Sequence, residues 1–153
     1  MAVVTVAMVL ASCVPCTGIV SAIAIPAFIN YVRRSKTVEA RTNVATIARA
    51  VSGRYAQDGA LPPACPRTPA VVGPQRYAWP PGDPAWEALG FHPDPVYYAY
   101  SYDPSPDGTG FVVAAAGDLD GDGRESRFEI RGRVDPTSRE VMLDPLEVVD
   151  ELE

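Results

Sequence analysis

Hydrophobic positions divide this chain into three stretches. From Met1 to Val32 no side chain is charged, and the first charge is Arg33. That run exceeds the roughly 20 apolar residues that cross a bilayer as a helix, so it predicts a retained transmembrane segment over 1–32. A secretory signal peptide would begin basic and carry a shorter apolar core. The pattern then turns amphipathic without a turn signal. Ile29, Val32, Ala40, Val44, Ile47, Ala48, Val51 and Tyr55 recur at three- and four-residue steps. Arg33, Lys36, Arg41 and Arg49 fall mostly elsewhere on the wheel, leaving one apolar stripe. One helix over about 3–57 follows, ending near Asp58-Gly59. Pro26 should kink it or melt it locally.

Beyond the helix the periodicity changes. Residues 62–106 hold twelve of the sixteen prolines, which predicts an irregular, stiff segment. Its aromatics, among them Trp79, Trp86, Phe91 and Tyr100, predict packing over a sheet rather than a loose linker. Ala85 to Leu89 reads as one short helical turn. Strand signals cover Val96–Tyr102, Gly110–Ala116, Ser126–Val134 and Val141–Leu143. Three or four antiparallel strands against one amphipathic helix make an α+β head. The expected organisation is a transmembrane or filament-core half at 1–32 and a globular head at 33–153. The acidic tail from Asp144 could dock through Leu146, Val148, Val149 and Leu152.

Charge sharpens this division. Residues 1–57 carry net +5 and the remainder net −11, giving −6 overall. An acidic head argues against nucleic acid as a partner, because phosphate binding needs clustered Lys and Arg. It suits a solvated surface or one that gathers divalent cations. Cys13 and Cys16 lie in the apolar run and Cys65 is alone in the head, so no disulfide framework is expected. They read as small apolar-behaving residues. Leu10-Ala11-Ser12-Cys13 also fits a lipobox, in which Cys13 would be acylated.

The segment Gly18-Ile19-Val20-Ser21-Ala22-Ile23-Ala24-Ile25-Pro26-Ala27-Phe28, with Tyr31, Arg34-Ser35-Lys36, Glu39-Ala40 and Thr42-Asn43, resembles type IV pilins and type II secretion pseudopilins. In the head, Trp86 to Phe91, Tyr97 to Tyr100 and Ala116 to Gly123 resemble pilin-type proteins of myxobacteria. The resemblance implies a type IV pilin-like fold and helices bundled at a filament core. Partners would be identical subunits, the inner membrane before assembly, and a pilus or secretion assembly machinery. The end point would be an extracellular filament on the cell surface. Basic residues after the span would by themselves keep the head cytoplasmic, but pilin-like proteins carry them and export their heads. The family's cleavage-site Gly, following aromatic and later Glu fall on Val4, Thr5 and Val9, and none matches. Either the gene starts upstream of Met1 or this is a divergent, unprocessed relative. Small residues in the span allow close approach of like helices.

One motif carries chemistry. Asp118-x-Asp120-x-Asp122-Gly123-x₅-Glu129 fits the calcium-loop pattern over its length. Hard divalent cations want six to eight oxygens, which alternate carboxylates in a tight loop provide. Asp118, Asp120 and Asp122 would give side chains, Arg124 a backbone carbonyl, and Glu129 a bidentate closure. Because Ser126–Val134 reads as a strand, Glu125 could stand in for Glu129. The alternative is a hairpin loop whose acids cap backbone donors. His92 reads as a loop residue. No nucleophile, phosphate loop or zinc spacing accompanies it, so no enzyme is expected. The readings that remain are a filament subunit and a monomeric, membrane-tethered calcium-binding module outside the cytoplasm, lipidated at Cys13 or not.

Overall fold

The computed structural model describes the backbone of residues 2–135 and 137–153, and the side chains of residues 22–135 and 137–153. The chain forms two compact units, Met1–Arg34 and Ser35–Glu153. Helix α1 spans Ala2–Asp58. It stays helical through Pro26, so the proline does not melt it locally. Its end lies at Gly59, whose φ of 69° is a left-handed value that glycine takes freely; the Gly59 amide donates to Tyr55 O at 2.8 Å.

The expected fold class needs one correction. Among the described residues no helix is long and apolar enough to cross a membrane. Of the uncharged run, side chains are described only from Ala22 to Val32, and Arg33, Arg34 and Lys36 follow at once. That is about half of the roughly 20 residues a span requires. The expectations for residues 1–21, with Cys13, Cys16 and the lipobox, lie outside the described side chains. What stands is an α+β fold of one long helix and an antiparallel sheet.

In the second unit the strands are β1 (Cys65–Thr68), β2 (Ala99–Pro104), β3 (Gly110–Gly117), β4 (Ser126–Val134), β5 (Val141–Leu143) and β6 (Glu147–Val149). They run β1-β2-β3-β4-β5, all pairs antiparallel, with β6 also on β4 beside β5. Helix α2 (Pro84–Ala88) is capped by Asp83, whose carboxylate accepts from the Ala85 amide at 2.9 Å. It places Trp86 in the core, where the Trp86 indole N–H donates to Pro66 O and Thr68 Oγ1.

The core forms between one stripe of α1 and the inner sheet face. Val44, Ile47, Ala48 and Val51 are fully buried and Tyr55 nearly so, as the periodicity predicted. Across from them alternate Tyr100 and Tyr102 of β2, Phe111, Val113 and Ala115 of β3, and Phe128 and Ile130 of β4. Strand period two sends their neighbours Ser101, Val112, Ala114, Arg127 and Arg131 to the other face. Trp79, Trp86, Phe91 and Tyr100 meet edge to face or, for Trp79 and Tyr100, tilted, with centroids 5.3 to 6.3 Å apart, and close the core over the proline-rich segment.

Candidate metal centre

The acidic loop joins β3 to β4. Its base is the last rung of their ladder, Gly117 opposite Ser126, and Ser126 Oγ donates to Gly117 O at 2.9 Å. Leu119, almost fully buried, pins the loop to the core. Gly121 and Gly123 take φ of 78° and 90°, a region costly for side-chain-bearing residues. These two glycines turn the chain tightly enough to bring one carboxylate oxygen each from Asp118, Asp120 and Asp122 within 4.8 Å of one another.

Those carboxylates already have internal work. Asp118 accepts from the Gly121 amide at 2.6 Å and from the Gly123 amide at 3.0 Å. Asp120 accepts from the Asp122 amide at 3.3 Å, and Asp122 from the Arg124 amide at 2.8 Å. Backbone donors thus offset part of the repulsion between three nearby negative charges. Asp118 is buried, while Asp120 and Asp122 are exposed and face water, leaving room for further ligands.

The two glutamates of the sequence motif, Glu129 and Glu125, are held in ion pairs elsewhere. β4 begins at Ser126, so Glu129 rides up the strand to a position opposite Ala114. There it is 6% exposed and clamped between Arg127 and Arg131. Burial would raise its pKa, but the two guanidiniums outweigh that and hold it below the usual carboxylate range. Glu125 forms a two-pronged pair with Arg67, at 2.6 and 3.0 Å. The Arg124 side chain points toward Asp150 and Glu153, at 3.9 and 3.6 Å. A helical exit would return the glutamate to the loop; a strand exit carries it away.

A second polar site gave no sequence signal beyond a lone acid beside an apolar stripe. Glu39 of α1 accepts from the Tyr97 amide at 2.8 Å and the Tyr100 hydroxyl at 3.3 Å, and Asn43 donates to that hydroxyl at 2.9 Å. Glu39 and Asn43, with Arg76, His92 and Asp94, line an open cleft of about 430 Å³. Glu39 fastens the segment before β2 to the helix. His92 is exposed, on the loop where the sequence put it. Cys65 is buried, and burial lifts its thiol to about 12, which makes it a poor nucleophile.

No family model, curated protein or solved structure matches this chain.

Proposed function

We propose that this chain is a structural subunit of a pilus-like or pseudopilus-like filament, assembling through its N-terminal helix against identical subunits. One observation carries the reading: a stretch of α1 that presents large apolar side chains to solvent. Ile23 is 71% exposed, Ile25 59%, Phe28 66% and Tyr31 71%. With Ile29 also exposed, five large apolar side chains fall within nine helical residues; scattered ones are ordinary, but these make a patch that calls for a partner. A repeated heterologous contact between copies covers such a patch on every subunit and leaves heads outward. The net −11 of residues 58–153 suits heads that face water at a cell surface.

The test is to image material purified from cells making the full chain, beside an Ile25→Asp/Phe28→Asp variant. Filaments from the first and none from the second support the reading. A monomeric wild type at every concentration tried counts against it.

We further propose Ca²⁺ for the Asp118–Asp120–Asp122 cluster. Spacing and the convergence of three carboxylate oxygens support a hard cation, and Mg²⁺, which keeps its waters and a smaller octahedron, should replace it poorly. The filament reading does not depend on it.

A further inference from the structure

We infer that residues 150–153 act as a strap which couples the acidic loop to helix α1, so that order at one is felt at the other. The strap begins where β6 ends. β6 pairs Glu147, Val148 and Val149 with Glu129, Phe128 and Arg127, the first turn-length of β4 after the loop. At Asp150 the chain reverses with φ of 49°, unusual for a residue with a side chain, and the Glu153 amide closes the turn on Asp150 O at 3.0 Å. This reversal throws Glu151 onto the helix. Its Oε1 lies 2.7 Å from Arg41 Nη2 and 3.4 Å from Thr37 Oγ1, and Thr37 is only 2% exposed. On the other side, Asp150 and Glu153 face the Arg124 guanidinium at the end of the loop.

Two side chains make this more than a row of surface ion pairs. Arg41 also lies over the Phe128 ring at 5.7 Å, so the strap's anchor rests on the strand that leaves the loop. Tyr98 is fully buried and touches both sides. Its ring occupies the space over Gly117, where an added Cβ would stand 2.4 Å from a ring carbon, and meets Phe128 edge-on at 5.5 Å. Its hydroxyl lies in the field of Glu39, Glu151 and Arg41, with Ser126 nearby, yet has no hydrogen-bond partner among the described residues. The residues at the base of the loop, Gly117 and Ser126, therefore bear on the same tyrosine as the residues that hold the strap.

Packed groups of this kind move together, and coupling of two sites is reciprocal. Whatever orders the loop should tighten residues 36–42 of the helix, whether or not that agent is a cation. Hydrogen exchange on the full chain tests this, comparing wild type with Glu151→Gln. Arg41 and Glu151 are about 40% exposed, at 42% and 39%, so the loss should be modest. We expect about threefold to tenfold faster exchange in 36–42 and in 117–124 together, with the centre of β2 and β3 unchanged. Arg41→Lys, which keeps the charge and loses the geometry, should do the same more weakly. Faster exchange confined to 150–153, or a uniform rise across all strands, overturns the strap.

Discussion

Two stretches of helix α1 carry apolar side chains and meet opposite fates. Between Thr37 and Tyr55 every residue of the apolar stripe is buried by the sheet and the proline-rich segment of the same chain. Between Ile23 and Tyr31 the large apolar side chains are exposed. The first stretch is amphipathic, with one stripe and polar flanks, and one sheet face satisfies it. The second is apolar around much of its circumference, which no single sheet face could cover. Hydrophobic burial favours both alike; only the first is covered by the described residues of this chain. One stretch is covered by its own head; on the filament reading, the other is covered by neighbouring copies.

Charge substitutions should divide the stretches most sharply. Ile47→Asp leaves an unpaired charge in the core and should destabilise the head by about 3–5 kcal/mol. Ile23→Asp should leave the melting of the head unchanged within about 0.5 kcal/mol and act on assembly alone. Thermal melts of both variants check this, and similar losses would erase the distinction.

The next effect asks whether the covered stretch depends on the loop. If Ca²⁺ binds Asp118, Asp120 and Asp122, the folded head gains about 2.7 kcal/mol at a hundredfold excess over the dissociation constant. Melting should rise from EDTA to millimolar Ca²⁺ in wild type and not in Asp120→Ala. Equal wild-type melting in both buffers leaves the hydrogen-bonded turn as the whole role of the loop.

Smaller effects distinguish the polar fastenings behind the covered stripe. Tyr100 exchanges hydrogen bonds with Glu39 and Asn43, and Tyr102 donates to Pro62 O at 3.2 Å. Each Tyr→Phe change there should cost about 1 kcal/mol. Tyr98→Phe should be neutral or stabilising, because it removes a buried hydroxyl that has no partner among the described residues. Chemical denaturation of the three variants gives the comparison, and a loss at Tyr98 equal to the others would contradict it.

The last effect is a matter of sign. Burial raises the Glu39 carboxyl above its ordinary 4.5, against opposing hydrogen bonds from Tyr97, Tyr100 and Tyr98 and the Arg76 charge. The folded head then holds that proton more tightly than the unfolded chain. Its contribution is complete below 4.5 and is lost as pH rises through the raised value. Glu129, lowered by its arginines, contributes above 4.5 and loses that contribution as pH falls through its folded value. At neutral pH, Glu39→Gln should therefore melt higher than wild type and Glu129→Gln lower. Melting curves from pH 4 to 7 that shift both variants the same way would refute the assignment.

Much of the second unit was legible because its periodicities are clean. The stripe from Val44 to Tyr55 gave the buried face; an apolar run gave β3, alternation gave β4, and Val141–Leu143 gave the edge β5, each almost to the residue. β1 was hidden because Pro66 stands inside it, in a region whose prolines argued for irregular chain; an edge strand tolerates one. β6 was hidden in an acidic tail, where Val148 and Val149 are too few to alternate. Three carboxylates of the loop converged as their spacing required. Glu129 did not join them, because a strand advances its residues away from the turn where a helix would bring them back. The transmembrane part of the expected fold found no support, since among the described residues, whose side chains begin at Ala22, no helix is long and apolar enough to cross a membrane.

The account turns on whether the uncovered stretch of α1 finds its cover in other copies of this chain. Electron microscopy of the purified full chain, beside the Ile25→Asp/Phe28→Asp variant, tests that directly. The account predicts wild-type filaments of uniform width, and a variant that stays dispersed while its head melts at the wild-type temperature. Wild type that remains monomeric, or filaments that survive both charges in the helix, would contradict it.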